Sequence, residues 1–493
     1  MASYKKEHEQ FVSGHNGTTV AEVAVMTITP CACLLLRDIL LLVFGLRSLP
    51  LWPRVVLDFS LVVVPAILMD TVLSHVTSAV SIILFCAAFV SCVFALLYKK
   101  NANLAGDFNK VLNMEMESQR PFLNYTRALM NISTAILILG VDFPAFPRRF
   151  AKTETFGTGY MDIGVGCFVI SNALVSPESR GRSNPCQSAK EFVHRAIRSV
   201  QSSLPLLVFG FGRLIAVKGT DYHEHVTEYG VHWNFFFTLA IVKVASTALL
   251  CICPVRLSTA VAVLFMSAYQ YALSNMGLTD YILHGRDGSG SRQGLLDANR
   301  EGILSSFGYI ALYLIGVQLG SLIFSKKKQT FMDWGKTFLL LLLISAVSYI
   351  SQSLSSTMLQ PTSRRMANIT FVFWIVGLSV QVMWSCLAVD LASTAISALV
   401  IADRKKIDVP STEAQLLSVP GLKSATPCML HAVNANGLFY FLLSNVMTGV
   451  VNMSIPAHHM SAAVAVSALL LYTFVLSGVI VYMDKKKIYT KFW

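Results

Sequence analysis

Residues 132–154 read ISTAILILGVDFPAFPRRFAKTE, an apolar run that stops abruptly on an aspartate, two prolines and three cations. Phe143 precedes a proline, which biases it away from helix, and Pro144 has no N–H with which to continue the hydrogen-bond ladder. A helix ending here leaves the Asp142 carboxylate at its last turn. The apolar run extends back to about residue 126, which is near the roughly 20 residues that cross a hydrocarbon core. Comparable segments recur along the chain, and they set the fold class. Thirteen are expected, near 21–45, 55–73, 77–98, 126–143, 159–177, 199–217, 232–253, 257–276, 303–324, 334–355, 368–391, 434–455 and 461–482. The expectation is an all-α, polytopic transmembrane helix bundle of about 13 spans. It forms one membrane-embedded unit over 1–493, with a short N-terminal segment at 1–20 and a basic tail at 483–493.

Composition agrees. Of 493 residues, 54% are hydrophobic and 13% charged, whereas soluble domains carry roughly 25% charged residues. The first span contains Arg37 and Asp38 and has no small-residue cleavage site, so it reads as retained rather than as a signal peptide. The net charge of +12 is scattered over short connections without a zinc finger, RNP motif or basic helix, which argues against nucleic acid. It reads as topology. Of the 39 Lys and Arg, 25 fall on the side of the C-terminal tail and 11 on the other. The positive-inside rule then places the C-terminus in the cytosol and the N-terminus in the lumen.

The ten cysteines lie mostly in apolar runs, where Cys behaves as a small hydrophobe, and none shows the paired CxxC spacing of a zinc site. No metal site and no cofactor are expected. No His is followed five positions later by Asp, and no DHHC, GxSxG or P-loop motif occurs, so several rival transferase and hydrolase chemistries lack their residues.

The cations on the minority side are clustered in 146–154, 213–237, 295–302 and 363–368, rich in Arg, Asn, His and Glu. Four such loops on one face suggest a polar site at one mouth of the bundle. Asp142 and Lys152, with Arg148, Arg149 and Glu154 beside them, belong to the first. A carboxylate at a helix C-terminus opposes the macrodipole, and partial desolvation disfavours its charge. Both make Asp142 a better proton acceptor than a free aspartate. One reading is a salt-bridged loop in which Asp142 pairs with Lys152 or an arginine. The other is acyl or phosphoryl transfer to a hydroxyl, which needs a base and a donor for the developing oxyanion.

His223, Glu224, His225, Glu228 and His232 cluster in HEHVTEYGVH. HExH does not place two histidines on one helical face as HExxH does. The cluster therefore reads as a hydrogen-bonding wall for a sugar headgroup or as an ordered loop. Asn299, Arg300, Glu301, Arg364, Arg365 and Asn368 are candidates for phosphate binding, because guanidinium forks match phosphate oxygens. Helix capping and interface anchoring are their alternative roles.

Long stretches carry a family resemblance: NGTTVAEV (16–23), VDFPAFPRRFAKTETFGTGYMDIGVGCFVISNALV (141–175), RLIAVKGTDYHEHVTEYGVHWNFFFTLA (213–240), LLDANREGI (295–303), SRRMAN (363–368) and NANGLFYFLLSNVMTGVVN (434–452). Together they resemble the glycosylphosphatidylinositol (GPI) inositol acyltransferases, the PIG-W/Gwt family of the endoplasmic reticulum. The resemblance implies transfer of a fatty acyl group, usually palmitoyl, from acyl-CoA as co-substrate to the inositol of glucosaminyl-phosphatidylinositol. It also implies catalytic roles for Asp142 and Lys152. The partners it implies are those two substrates and membrane lipids. A polytopic lipid or small-molecule transporter is the alternative class, since many spans and buried charges are also transporter features, although no inverted repeat is evident.

Overall fold

The computed structural model describes residues 14–490 except 47–48, 98–103, 118–120, 183–184, 220–225, 325–328, 406–407 and 419–427, with backbone alone at 104–105, 216–219, 226, 404–405, 417 and 428. Each expected apolar segment lies on a helix. In chain order these are α1 Val20–Val43, α2 Leu51–Asp70, α3 Thr77–Leu97, α4 Phe122–Gly140, α5 Ile163–Leu174, α6 Ala189–Gly219 and α7 Phe235–Ile252. They continue with α8 Ser258–Asn275, α9 Arg300–Phe324, α10 Phe331–Met358, α11 Ile369–Lys405, α12 Gly437–Ser454 and α13 Ala462–Lys485. Among the described residues eleven helices are long and apolar enough to cross a membrane, all of these but α5 and α6. The chain is a multi-pass helical membrane protein. Among the described residues, strand is confined to a two-residue pairing of Glu115–Met116 with Gln329–Thr330.

Local chemistry starts and bends these helices. The Thr19 hydroxyl accepts from Glu22 N–H at the start of α1, and the Asn234 side-chain oxygen accepts from the N–H groups of Phe236 and Phe237 at the start of α7, each satisfying donors that the first turn leaves orphaned. Within α2, Phe59–Val63 widens into a π turn just before Pro65, where a proline ring would otherwise meet the carbonyl four residues back.

α11 is the central post, with 83% of its most apolar window buried, against 17% for α3, which turns most of its surface to lipid. Lipid tails are as apolar as leucine, so close packing rather than expulsion of water holds such helices together. α5 and α9 show it. A Cβ on Gly316 would lie 2.7 Å from that of Ala173, and one on Gly320 would run into the Leu174 carbonyl oxygen. Gly166 of α5 meets Ile375 of α11 in the same way, whereas nothing lies within 4 Å of a Cβ built on Gly164. Of these two glycines of α5, Gly166 is therefore the one that makes the close contact. α1 and α2 are tied by a buried ionic cluster in which Arg37 contacts Asp38 and reaches Asp58 at 3.1 Å, the pairing that charges in a hydrocarbon setting require.

The fifth segment departs from expectation. In place of a span over 159–177 there is a 3-10 turn, Tyr160–Asp162, and a 12-residue helix, which rises about 18 Å against a hydrocarbon core of about 30 Å. The Tyr160 side chain lies beside Ser133, which is well inside α4. The loop after α4 therefore dips into the bundle, and α5 needs to cover only the remaining depth. This descent carries the polar loop that follows α4 into the bundle.

α4 runs side by side with α12 and with the short helix Cys428–Ala435 that leads into it, in one register. Asn434 donates to Asn124 at 2.9 Å near one end, and Asn452 donates to Asp142 at 2.6 Å at the other, each pair 310 residues apart. Tyr472 of α13 clasps both helices, donating to the carbonyls of Ala135 and Ser444. Asn436 bonds the carbonyl of Ile488, so the C-terminal residues and Asp142 lie at opposite ends of the bundle.

Candidate active site in the Asp142 loop

Asp142 follows the last turn of α4 and is 2% exposed. The chain past it is folded around Arg148. That guanidinium donates to the carbonyls of Val141 (2.8 Å), Phe143 (3.0 Å) and Phe146 (2.8 and 3.1 Å). The Val141 and Phe146 carbonyls are ones that the end of α4 and the following turn leave without backbone donors, while that of Phe143 also accepts from Phe146 N–H. Arg148 thus closes the helix end by cation and hydrogen bond together. Burial pulls its proton affinity down, to about 10, against the opposing charge of nearby Asp142, and it stays charged at any physiological pH.

Asp142 and Lys152 line one cavity of about 1530 Å³, mostly apolar, bounded by α4, α5, α6, α7, α11 and α12. The structure brings them to one chamber but pairs them with different partners. Asp142 accepts from Asn452 at 2.6 Å. The Lys152 ammonium donates to both oxygens of Glu228 at 2.8 Å. Glu228 also meets Arg364 at 3.2 Å, and Arg364 donates to Asp162 at 2.8 Å. Asp162 in turn accepts from the Thr153 hydroxyl and from Gly159 N–H. A chain of alternating charge, Lys152–Glu228–Arg364–Asp162, so holds the 152–162 loop against the loops before α7 and α11. Burial alone would push the Glu228 carboxyl up, but Lys152 and Arg364, with Arg213 behind them, draw it down to about 2. Its partners likewise outweigh the effect of burial on Arg364 and raise its proton affinity. Glu228 therefore stays ionised at physiological pH, and Lys152 is held by a permanent anion.

The other sequence candidates divide cleanly. Glu154 lines the cavity and accepts from the Thr227 hydroxyl at 3.1 Å and from Gly14 N–H at 3.3 Å. Arg149 points away: it grips Glu22 at 3.0–3.2 Å, donates to the Ser74 carbonyl and stacks 4.6 Å over Phe150, binding α1 to the loop. His232 and Asn299 brace each other, His232 N–H donating to the Asn299 side chain at 2.8 Å. Arg300 is 2% exposed and donates to the carbonyls of Ile282 and Ser291 and to Asp297. Glu301 receives Arg292 at 2.7 and 2.9 Å and Arg365 at 2.8 Å. Asn368 caps α11, accepting from the N–H groups of Ser363 and Phe371. Of the phosphate candidates, Arg364 alone lines the chamber. His223, Glu224 and His225 lie outside the described residues.

This placement changes what one substitution should do. Arg365→Gln removes a charge-assisted bond to a buried carboxylate, worth about 1.5–3 kcal/mol, so thermal stability and monodisperse yield should fall. The Michaelis constants of the folded fraction should stay unchanged, because Arg365 faces Glu301 rather than the cavity. Kinetics normalised to folded protein separate the two.

A family model described as GWT1 matches residues 4–483. The chain belongs to the GWT1 family. It is 38% identical to glucosaminyl-phosphatidylinositol-acyltransferase PIGW of Bos taurus and 37% identical to that of Homo sapiens, over the whole of both chains in each case. It is 34% identical to GPI-anchored wall transfer protein 1 of Aspergillus fumigatus over 97% of this chain and 96% of the relative. The resemblance read from the sequence motifs is therefore a family membership that spans the chain.

The GWT1-family chamber also contains residues that sequence reasoning did not assign to a site. Asn452 and Tyr229 carry no local signal for a role, and Arg213 reads as an ordinary charge near a span end. The hint for Asn452 is an asparagine in the last turn of an apolar helix, where a polar side chain needs a partner. A second cavity, of about 2020 Å³, lies toward the end of the bundle that holds the C-terminal residues and is lined by Arg127, Arg180, Arg182, Arg195, Arg198 and Lys243, among others. Phe168, Phe235 and Phe441 line both cavities. Their rings meet edge to face with centroids 5.5–5.8 Å apart, an aromatic partition between the chambers.

Proposed function

We propose that this chain is a glucosaminyl-phosphatidylinositol acyltransferase that moves a long-chain acyl group from acyl-CoA to an inositol hydroxyl. The observation that carries the reading is a single apolar chamber with the buried carboxylate Asp142 and the anion-held ammonium Lys152 both on its wall. The relatives' names supply the substrate. In the proposed reaction Asp142 takes the proton of the inositol hydroxyl as its oxygen attacks the thioester carbonyl. Glu228 occupies two protons of the ammonium, and the third can meet the oxyanion that develops. The C–S bond then breaks, and the proton held by Asp142 passes to the departing thiolate of CoA.

The second cavity supports acyl-CoA as donor. Its six cations outnumber the five carboxylates on the same wall, Asp38, Glu117, Glu178, Asp390 and Glu413; that excess suits the phosphates of a nucleotide, and the aromatic partition leaves one step between that chamber and Asp142. We place the protein in the endoplasmic reticulum membrane, with the Asp142 end luminal and the C-terminal end cytosolic, on the bias of its cations. A cysteine introduced by Ala145→Cys, on the connection after α4, should then be labelled by an impermeant maleimide only when microsomes are opened. Labelling in intact microsomes would reverse the orientation.

The test of function is acyl transfer by purified protein in detergent, with long-chain acyl-CoA and glucosaminyl-phosphatidylinositol. Formation of an alkali-labile inositol ester with release of free CoA thiol is the expected result. Transbilayer movement of the glycolipid by reconstituted protein, without ester formation, would replace the enzyme with a transporter.

A further inference from the structure

Asp142 does not face the chamber alone. Asn452 sits in the last turn of α12, and its amide N–H donates to one Asp142 oxygen at 2.6 Å. A carboxylate can only accept, so the nitrogen of the amide must be the atom turned toward it, and the orientation of the group is settled by chemistry. The amide oxygen, Oδ1, is then turned away from Asp142. Among the described residues that oxygen is buried and has no hydrogen-bond partner, while Asn452 lines the same chamber as Asp142. A buried acceptor left unbonded is costly and calls for a reason.

The surroundings hold this group in place. The register of α4 against α12, set by the Asn124–Asn434 pair and the double clasp of Tyr472, keeps Asn452 opposite Asp142. The result is two acceptors one amide apart, on two residues that line the same mostly apolar chamber. One is a carboxylate able to take a proton and the other is a neutral amide oxygen able only to receive a hydrogen bond. Two adjacent acceptors fit two adjacent donors, and a cyclic polyol presents such pairs as hydroxyls on neighbouring ring carbons.

We infer that Asn452 is a positioning and specificity residue: its Oδ1 receives the hydroxyl next to the one acylated, so that the reacting hydroxyl is delivered to Asp142. This rests on the acyltransferase reading above. It adds that the site selects its hydroxyl by its neighbour. Through its N–H the same amide holds the Asp142 carboxylate, so one side chain orients both the base and the ring that the base acts on.

The experiment pairs substrate analogues with variants. With wild-type protein, a glucosaminyl-phosphatidylinositol analogue lacking one hydroxyl adjacent to the acylated position should lose about 10- to 100-fold in kcat/KM, the effect of leaving a buried acceptor without its donor. An analogue lacking a non-adjacent hydroxyl should react normally. In Asn452→Leu the natural substrate should show a similar loss, and removal of the adjacent hydroxyl should cost nothing further. Equal sensitivity of the wild type to all deoxy analogues would overturn the inference, and this arm needs no variant to fold. Additive losses in Asn452→Leu would also overturn it. Absence of any acylation by the wild type would instead remove the acyltransferase reading itself.

Discussion

Asp142→Asn should lower acyl transfer by about 10²- to 10⁴-fold, the contribution of a positioned general base, while glycolipid binding and folding persist. The geometry makes the substitution clean. The replacement amide has the shape of the original carboxylate, the loop remains closed by Arg148 on its carbonyls, and a side-chain oxygen is still present to accept from Asn452. The ability to take a proton is removed, together with the negative charge. A merely architectural Asp142 predicts the opposite pattern, with reduced melting temperature and yield but normal turnover per folded molecule. Near wild-type specific activity in monodisperse Asp142→Asn would sink the catalytic assignment.

Lys152→Ala should cost about 10²- to 10³-fold in kcat, the loss typical of one oxyanion donor. Its route differs from that of Asp142, because Lys152 is bonded to Glu228 at 2.8 Å and not to the base. Glu228 keeps Arg364 at 3.2 Å in the variant, so the buried anion is not stranded and the protein should still fold. If the two residues act in one transition state, Asp142→Asn/Lys152→Ala should be little slower than the worse single variant. Fully multiplicative losses would show that they serve separate steps. A wild-type kcat in Lys152→Ala, with a higher KM for the glycolipid, would make Lys152 a binding group only.

The helical class and the apolar segments could be read directly from the chain, because a span is a local property. Composition over about 20 residues decides it. The break after α4 was legible for the same reason, since Pro144 acts on its own ladder and on Phe143 next to it. α5 was not legible as a short helix. Its apolar run is long enough to suggest a span, but Tyr160 reaching Ser133 shows that the preceding loop has already used part of the membrane depth, and no window on 159–177 contains that fact.

The site was half legible. Asp142 and Lys152 could be placed at one mouth because only ten residues separate them. Their partners could not. Arg148 and Arg149 look alike in the sequence, yet one closes the end of α4 and the other grips Glu22 on α1. Arg364 and Arg365 are neighbours, yet one meets Glu228 in the chamber and the other meets Glu301 outside it. Adjacent side chains in a turn point in different directions, and direction comes from the backbone path.

The sequence by itself therefore determined that this chain is a membrane-embedded bundle, where one helix stops, and that an acid and a lysine lie close together beyond it. Tertiary structure alone decided that Lys152 answers to Glu228, 76 residues away, and Asp142 to Asn452, 310 residues away. The reason is physical. A polar group taken out of water must find a partner, but which partner it finds depends on the depth and register at which helices pack. Those follow from contacts such as Gly316 on Ala173 and Tyr472 across α4 and α12, which join residues far apart in the chain.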